Sequence, residues 1–528
     1  MKKRWILFLT LASACILMLS MTGISQSSRR IVKKIEAIAK IAGTTWTTPV
    51  NISNNATISE SPNISLDDQG KVYLTWVDWT GNAYGRDMNF NTNATGSWGA
   101  ARTGAPLIYT AIDDVGFPSI AASPSGGIAT VAYHDGDFSR YLMSIFAFEY
   151  NNGSLGYSRV ITSDTPVSCS YVTVAVSPTT KNLHAVFMGD VSGFKLISKY
   201  QDANTKQWSG PSVLPLNENG NNYLPQMCID AKGTAHLVWI SRPFPTVVLY
   251  SKNPTPTNPN TWAAPVTISP PTGLDWTYPR VAADADSDAY VVWHDVSLGN
   301  SEVFLRKTVN GQWQGSENIS KTGTLSETAS VAVNGTTKEI YVAWQERVTE
   351  EPNWEVYART YEEEKPGGTK SWSDFIHFSS SNPARPRHSG EPRFAVSANG
   401  DVHLAYFDQI GSNNTDIFYT FKEKIKIYAP LDVALTTKIN KILFYSEKIN
   451  TITFSKNPLN TEDYLDSYKL YRKKAEDSDD LYQLLATLNT STFKYDDKRL
   501  SLTQKYTYAV TAVDKGGNES GKVAVTEK

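Results

Sequence analysis

The sequence has few cysteines and no excess of charge of either sign. Its 528 residues include only three cysteines, Cys15, Cys169 and Cys228, so no disulfide framework holds the fold together. Lysine and arginine number 50 and aspartate and glutamate 52, and this balance lacks the basic excess of a nucleic-acid partner. We therefore predict that the protein does not bind nucleic acid.

Short catalytic and metal-binding motifs are also missing. No G-x-S-x-G, P-loop, H-E-x-x-H or Cys/His zinc spacing occurs in the chain. The acidic run Asp284, Asp286 and Asp288 has the D-x-D-x-D spacing that can bind Ca²⁺, but it lacks the downstream glutamate of an EF-hand. A solvated turn is the favoured interpretation, and we predict no metal, no cofactor and no assignable catalytic residue.

The N-terminus carries an export signal. A basic start precedes an apolar run from Trp5 to Met21, which is typical of a signal peptide or an N-terminal anchor over residues 1–25. Ala12-Ser13-Ala14 before Cys15 loosely resembles a bacterial lipobox, while the same run could span a bilayer uncleaved. We expect a secreted, periplasmic or cell-surface protein that meets the membrane only through this segment. Residues 26–43 are expected to form a linker.

One pattern recurs seven times along the chain. Two alternating apolar runs, joined by a Gly/Asp/Asn/Ser turn, end in an aromatic residue at Trp76, Tyr133, Phe187, Trp239, Trp293, Trp344 and Tyr406. From Trp76 to Tyr406 the six steps average 55 residues. A third strand follows in each copy, and a fourth begins at a tryptophan in most of them. Four short strands per repeat predict an all-β fold, a seven-bladed β-propeller over residues 44–425.

The last copy lacks its fourth strand, and a spare strand stands at the front of the chain. "TWTTPVNIS" (45–53) closely matches "TWAAPVTIS" (261–269). We predict that the N-terminal strand completes the seventh blade and closes the ring, which removes an exposed sheet edge.

Other repeat positions are expected to be structural or to face one end of the ring. The histidines at 184, 236 and 403 share their position with tyrosines and a threonine, so we interpret them as core residues. Acidic residues follow the second strand in six copies, at Asp78, Asp135, Asp190, Asp295, Glu346 and Asp408. They cap turns or form a polar binding rim, and the sequence leaves both interpretations open.

Residues 44–425 resemble the sialidase-like, or BNR-repeat-like, β-propellers of secreted bacterial proteins in their repeat style. The Asp box of that family is not intact, and its Y/F-R-I-P arginine motif is absent, so no catalytic residue is transferred. Residues 428–528 resemble a fibronectin type III module. Phe454 stands where a tryptophan is usual, and Tyr506 is the expected tyrosine corner.

Two functions from different classes follow. The first is a non-catalytic, monomeric binding protein for carbohydrate, glycoprotein or another surface polymer, with the fibronectin type III module as a spacer. The alternative is a sialidase-like glycoside hydrolase acting on anionic glycans. Loop tryptophans would stack on sugars and arginines would bind a carboxylate, although the same residues could pack loops or act as salt-bridged spacers. The candidate ligand-binding residues, gathered on blades five to seven, are Trp276, Arg280, Asp295, Glu346, Trp354, Arg393 and Asp408.

Overall fold

Short antiparallel strands form most of the described chain, because apolar and polar residues alternate along segments separated by Gly-, Asp- and Asn-containing turns. A computed structural model describes residues 46–79, 86–105, 116–137, 142–216, 220–242, 245–348, 354–363, 370–379, 388–411, 414–424, 427–443, 445–458, 460, 465–515 and 519–527. The predicted signal or anchor and the linker lie outside these residues. The larger of two compact units comprises residues 46–362 and 370–424, and residues 425–528 belong to the other. Within the described part, no helix is long and apolar enough to cross a membrane.

The first strand, β1 (Val50–Asn51), pairs with the last sheet of the larger unit. Each of the other sheets of this unit consists of strands that are consecutive in the chain. Sheet 1 contains β2 (Ile58–Leu66), β3 (Val72–Trp79), β4 (Arg86–Thr92) and β5 (Arg102–Ala105). Sheet 2 contains β6 (Gly116–Ala122), β7 (Ile128–Asp137), β8 (Leu142–Asn151), β9 (Ser154–Leu155) and β10 (Arg159–Val160). Sheet 3 contains β11 (Cys169–Val176), β12 (Leu183–Asp190), β13 (Phe194–Gln201) and β14 (Ser212–Val213).

Sheets 4 to 6 have the same plan. Sheet 4 contains β15 (Asn221–Ile229), β16 (Ala235–Arg242), β17 (Val247–Asn253) and β18 (Val266–Thr267), with a short 3-10 turn at Pro259–Thr261. Sheet 5 contains β19 (Arg280–Ala283), β20 (Ala289–Asp295), β21 (Glu302–Val309), β22 (Gln312–Trp313) and β23 (Glu317–Asn318). Sheet 6 contains β24 (Ser326–Val333), β25 (Ile340–Arg347), β26 (Trp354–Glu363), β27 (Lys370–Trp372) and β28 (Ile376–His377).

Sheet 7 combines the two ends of the larger unit. It contains β29 (Gly390–Val396), β30 (Val402–Gln409), β31 (Thr415–Lys422) and, as its outermost strand, β1. Val50 of β1 pairs with Tyr419 and Asn51 with Phe418, in antiparallel register. The segment that the sequence singles out as the spare fourth strand thus lies beside the last repeat.

The first strands of the seven sheets contact one another in cyclic order. β2 contacts β6, which is followed by β11, β15, β19, β24 and β29, and β29 contacts β2 again. First strands that surround a common axis in this way are the mark of a β-propeller, so the larger unit has that architecture.

The repeated aromatic residues pack between neighbouring sheets, as their period predicts. All seven are buried, and each lies in an apolar cluster that it shares with the preceding sheet. Trp293 of sheet 5, for example, packs with Val238 and Ile240 of sheet 4. Trp76 of sheet 1 packs with Ala405 and Ile417 of sheet 7, so this packing also joins the two ends of the ring. The predicted core role of this repeat position is confirmed.

The C-terminal unit contains two packed sheets. The first contains β32 (Leu431–Ile442), β33 (Tyr445–Ser455) and β36 (Lys494–Leu500). The second contains β34 (Leu465–Lys474), β35 (Gln483–Asn489), β37 (Tyr506–Asp514) and β38 (Val523–Thr526), and a 3-10 turn lies at Asp479–Leu481. Phe454 of the first sheet meets Tyr468 of the second edge-on at 4.9 Å, inside one apolar core.

Tyr508, rather than the expected Tyr506, is the fully buried tyrosine of β37. Its hydroxyl donates to Asp497 Oδ2 at 2.8 Å. Residues 506 and 508 share one face of the strand, but Tyr506 stands at its first position, where the core ends. The Tyr506 ring is only partly buried and lies under the guanidinium of Arg472 at 5.1 Å. The tyrosine with a buried, hydrogen-bonded hydroxyl is therefore two residues further along.

Candidate functional site

A β-bulge interrupts the first strand of most sheets, next to residues that line the centre of the ring. The ladder between first and second strands shifts register in six of the seven sheets. In each of these six the bulged residue has a positive φ although it is not glycine, at Ser61, Phe117, Tyr171, Leu224, Thr328 and Glu391. Left-handed backbone at bulky residues is rare, so its repetition marks a built feature of the fold.

The residue two positions after each bulge lines a central cavity of about 380 Å³, and in most sheets it is small or uncharged. In three sheets its hydroxyl oxygen accepts a backbone N–H from the next sheet. Ser119 Oγ accepts from Val174 N at 3.0 Å, and Thr173 Oγ1 accepts from Met227 N at 3.1 Å. Ser330 accepts in the same way from sheet 7. These hydrogen bonds connect neighbouring first strands, so the position has a structural role.

Sheets 5 and 7 carry Arg280 and Arg393 at this position. A guanidinium has no acceptor and cannot make the bond that the serine and threonine hydroxyls make. The Nε atoms of both arginines are buried without a hydrogen-bond partner in the described residues. Arg393 Nη1 donates to Pro392 O at 2.9 Å. Sheets 5 and 7 therefore carry a positive charge at the position where three other sheets have an inter-sheet hydrogen bond.

The two arginines stand between the central cavity and a second cavity of about 260 Å³, which opens where the first strands begin. We call this second cavity the mouth pocket. Its wall combines two guanidiniums, carboxylates, other polar groups and aromatic rings, and its residues are Glu60, Phe117, Tyr278, Arg280, Glu327, Thr328, Ala329, Gln345, His388, Glu391, Arg393 and Phe407.

Burial and mutual repulsion dominate the electrostatics of the mouth pocket. Burial, followed by the neighbouring positive charge of Arg393, lowers the pKa of Arg280, and burial lowers the pKa of Arg393. The Glu391 carboxylate opposes both shifts. Burial also raises the pKa of the Glu327 carboxyl and of the Tyr278 hydroxyl, and Glu391 raises the latter further. The two guanidiniums are buried positive charges whose Nε atoms have no hydrogen-bond partner in the described residues, and this arrangement favours an anionic ligand.

Further polar atoms on the pocket wall have no partner in the described residues. Glu391 Oε2 and Thr328 Oγ1 are buried and accept or donate no hydrogen bond there. Both belong to bulged residues with left-handed backbone, and both residues line the mouth pocket. Buried polar groups are normally satisfied, so each such atom indicates a ligand group or an ordered water.

The predicted acidic residues Asp295, Glu346 and Asp408 lie outside the mouth pocket and are buried. Asp295 Oδ2 accepts the Trp293 indole N–H at 2.6 Å, and Glu346 Oε2 accepts that of Trp344 at 2.7 Å. The spacing of two residues places the indole and the carboxylate on one side of the strand.

Ser389 Oγ donates to Asp408 Oδ1 at 2.5 Å. Asp295 also caps its turn, because its Oδ1 accepts from Ser297 N at 3.0 Å, whereas these bonds of Glu346 and Asp408 come from side chains. The part of all three carboxylates in ligand binding stays a prediction.

The predicted loop tryptophans take different positions near this end of the ring. Trp276 is 37% exposed and packs on Tyr223 and Arg242. Trp354 is partly buried at the start of β26, where it forms a parallel bridge with the pocket residue His388. Among the predicted ligand-binding residues, only Arg280 and Arg393 line the mouth pocket.

The acidic turn in sheet 5 is paired with Lys338, a cation from the hairpin between β24 and β25 of sheet 6. Lys338 Nζ lies 2.8 Å from Asp286 Oδ2, 3.3 Å from Asp284 Oδ2 and 3.5 Å from Asp288 Oδ2. The expectation of a solvated turn is wrong for Asp284 and Asp288, which are buried because they organise the hairpin. Asp284 Oδ1 accepts two backbone N–H groups of the turn. Among the described residues, no group of three or more His, Cys, Asp or Glu side chains is arranged to hold a metal.

The histidines at the repeated position are core residues, as their shared position predicts. His236 Nε2 lies 3.0 Å from Asp230 Oδ2, the aspartate of its own hairpin. At the equivalent position of their own sheets, Tyr73 and Tyr290 donate to the hairpin aspartates Asp67 and Asp284. Burial lowers the pKa of His184 and of His403 to about 4, so both are neutral at pH 7.

Sequence reasoning missed ten of the twelve residues that line the pocket, among them Phe117, Tyr278, Glu327, Thr328 and Glu391. A signal for several of them is present, because five repeats carry a proline directly before the cavity residue, at Pro62, Pro118, Pro225, Pro279 and Pro392. In all but sheet 5 the residue before this proline is the bulged one. Proline inside a strand marks a bulge or an edge. The residues on either side of this proline were therefore candidates for positions that face the axis of the ring.

No protein-family model and no curated protein matches this chain. Solved structures with a similar fold include a protein of unknown function from Dyadobacter fermentans DSM 18053, which is 13% identical (72% of this chain, 98% of that chain, TM-score 0.44). A polysaccharide lyase of family PL25, an ulvan lyase bound to -[GlcA(1-4)Rha3S]-, is 11% identical (72% and 94%, TM-score 0.48). The intramolecular trans-sialidase from Ruminococcus gnavus, in complex with oseltamivir carboxylate, is 12% identical (72% and 97%, TM-score 0.41).

Proposed function

We propose that this protein binds an acidic carbohydrate outside the cytoplasm, through the mouth pocket. The observation that supports the proposal most directly is the presence of Arg280 and Arg393 at a position where three other sheets carry a hydroxyl bonded to the next sheet. A purely structural ring gains nothing from two buried guanidiniums that repel each other.

The other pocket groups suit a sugar. Paired guanidiniums bind a carboxylate or sulfate through charge-assisted hydrogen bonds. The unpartnered Glu391 Oε2 accepts from sugar hydroxyls, and Thr328 Oγ1 exchanges hydrogen bonds with them. Phe117 and Tyr278, with ring centroids 6.1 Å apart, offer aromatic surface to the apolar face of a pyranose ring.

The proposed architecture is a seven-bladed propeller closed by its N-terminal strand, in which sheets 1 to 7 are the blades. The C-terminal unit is proposed to be a fibronectin type III domain that acts as a spacer. The N-terminal signal implies a secreted, periplasmic or surface-anchored monomer, whose partner is a glycan, a glycoprotein or another acidic surface polymer.

Binding to an array of acidic and neutral glycans tests the proposal. The array contains sialylated, uronate-terminated and sulfated glycans beside their neutral counterparts. Arg280→Gln and Arg393→Gln should each weaken binding to acidic glycans about 10- to 100-fold, because each removes a charge-assisted contact of about 1.5–3 kcal/mol.

Arg306→Gln is the matched control, because the Arg306 guanidinium donates to carbonyl oxygens of Gln314, Thr267 and Ile268 away from the pocket. It should leave binding unchanged. Equal binding of neutral and acidic glycans, or acidic binding that survives both pocket substitutions, would contradict the proposal.

A second candidate function is hydrolysis of a terminal anionic sugar. It is favoured by the presence of Glu327, Glu391 and Tyr278 in the same pocket as the two arginines. Glu327, whose pKa is raised by burial, has the character of a general acid, and Glu391 is a second carboxylate. Fluorogenic sialosides and uronides provide the assay. Turnover that Glu391→Gln abolishes, with binding retained, would make the protein an enzyme, whereas binding without turnover supports the first candidate.

A further inference from the structure

A second cluster of aromatic and charged groups lies beside the mouth pocket, in sheets 4 and 5. Trp276 stands at its centre and is 37% exposed. Tyr223 meets the indole edge-on at 5.3 Å between ring centroids. The Arg242 guanidinium lies 4.7 Å from the centroid of the Trp276 ring, and its Nη2 is 3.2 Å from Asp275 Oδ1, a carboxylate that is itself exposed.

The backbone connects this cluster directly to the pocket. Trp276 precedes the pocket residue Tyr278 by two positions, and two residues of extended chain span at most about 7 Å. The residue between them, Thr277, is fully buried, and its hydroxyl donates to His294 O at 2.7 Å. This anchor fixes the segment, so the indole and the pocket are held at a short, constant separation.

We propose that Trp276, Tyr223 and Arg242 form a second subsite, which holds the next sugar unit of an oligosaccharide whose acidic unit occupies the mouth pocket. This inference rests on the proposed function. The exposed part of the indole stacks on the apolar face of the second sugar. Arg242 can exchange its contact with the exposed Asp275 for an anionic substituent of that sugar. The ligand class is therefore an acidic oligosaccharide or polymer rather than a single sugar.

The packing of Trp276 is not by itself a sign of function. Trp313, on the outer strand β22 of sheet 5, has the same surroundings. Arg306 lies 5.5 Å from its ring centroid, and Tyr250 meets it edge-on at 4.9 Å. Trp276 differs because it stands next to the pocket, while Trp313 is at the outer end of its sheet. Trp313 is therefore a matched control.

Calorimetric titration with four probes tests the subsite: galacturonate, α-1,4-linked trigalacturonate, N-acetylneuraminate and 3′-sialyllactose. For an acidic sugar that binds, the trisaccharide should bind more tightly than its monosaccharide. Trp276→Ala should weaken trisaccharide binding about 5- to 50-fold and leave monosaccharide binding unchanged. Trp276→Tyr should retain part of the difference between the trisaccharide and monosaccharide affinities. Trp313→Ala should change neither affinity. Arg393→Gln should weaken both.

The outcomes separate the two proposals. If Trp276→Ala leaves the trisaccharide affinity intact, or weakens both probes equally, while Arg393→Gln weakens both, the second subsite is refuted and the mouth pocket stands. If none of the four probes binds to the unmodified protein and the glycan array is also silent, the proposed function and the subsite fall together.

Discussion

Ser330 in sheet 6 accepts a hydrogen bond from the backbone N–H of Phe394 in sheet 7, with a distance of 3.0 Å between Ser330 Oγ and Phe394 N. Arg280 holds the same repeat position in sheet 5 and makes no such bond to sheet 6. We predict that Arg280→Ser stabilises the ring by about 0.5–1.5 kcal/mol, because the new hydroxyl can accept from Val331 N and a buried charge is removed. Binding of acidic glycans should weaken about 10- to 100-fold at the same time.

Chemical denaturation and glycan binding, measured on the same preparation, check this prediction. Ser330→Ala is the complementary variant, and it should lower the free energy of unfolding by a similar amount while it leaves the charge of the pocket intact. A destabilised Arg280→Ser protein would mean that the guanidinium is a structural spacer after all.

The repeat made much of the fold predictable. A residue that recurs every 55 residues on average, such as Trp293, has to occupy equivalent places in equivalent sheets, so burial and packing against the neighbouring sheet followed from its period. The matching "TWTTPVNIS" and "TWAAPVTIS" segments likewise indicated where the first strand pairs.

The pocket was less predictable, because a β-bulge breaks the alternation from which the facing of side chains is inferred. At Glu391 the backbone is left-handed and the ladder shifts register between Gly390 and Arg393, so simple alternation does not predict that Glu391 and Arg393 line the same pocket. The carboxylates after the second strands were open to two interpretations, turn caps or a binding rim, and the pairing of Asp295 with the Trp293 indole belongs to neither. A sequence pattern does not show which nearby donor a carboxylate accepts from.

Asp78 makes the stability of the ring depend on pH between about 4 and 6. Burial, aided by the nearby charges of Asp87 and Asp416 and opposed by hydrogen bonds from Ser59 and Trp76, raises the pKa of this carboxyl to about 6. Between about pH 4 and 6 the folded protein therefore holds a proton that the unfolded chain has released. The contribution of this group to stability is complete below about pH 4 and is lost as the pH rises through 6.

We expect the free energy of unfolding to fall by on the order of 1–2 kcal/mol between pH 5 and 7.5, a value reduced for partial exposure. Asp78→Asn should flatten this slope, because an amide cannot titrate. Asp202→Asn is the control, because the Asp202 pKa is lowered by backbone N–H groups of an exposed turn and its contribution changes only at lower pH. A slope that persists in Asp78→Asn would assign the pH dependence to another group.

Lys338 acts as the counterion of the acidic turn. Since its ammonium already lies within 3.5 Å of Asp284, Asp286 and Asp288, added Ca²⁺ should not raise the Tm of the unmodified protein. Lys338→Met keeps the length of the side chain and removes the charge, and it should cost about 1–2 kcal/mol because two buried carboxylates lose their partner. Thermal melts with and without Ca²⁺ measure both effects, and a Ca²⁺-dependent rise in the unmodified protein would show that a metal can displace the lysine.

Trp46 secures the junction at which the chain closes on itself. Its ring meets Phe378 edge-on at 4.8 Å and lies 5.8 Å from Phe394, so it packs between sheets 6 and 7. The next residue, Thr47, donates its N–H to Phe421 O at 2.9 Å, and Asp416 Oδ1 accepts from Ser53 Oγ at 2.7 Å. Trp46→Ala should therefore cost about 2–4 kcal/mol, since it removes a large, partly buried ring.

The same substitution should also expose β31, because β1 is only two residues long and depends on these flanking contacts. Hydrogen exchange at the β31 amides should accelerate, and the unpaired edge should promote aggregation. Trp262→Ala provides the control, because Trp262 stands at the equivalent point of sheet 4, where the last strand, β18, follows its sheet directly in the chain. That variant should lose packing energy, but hydrogen exchange at the β31 amides should not become faster. If β31 stays protected in Trp46→Ala, the pairing of β1 holds without this tryptophan and the closure depends on Asp416 and the backbone hydrogen bonds alone.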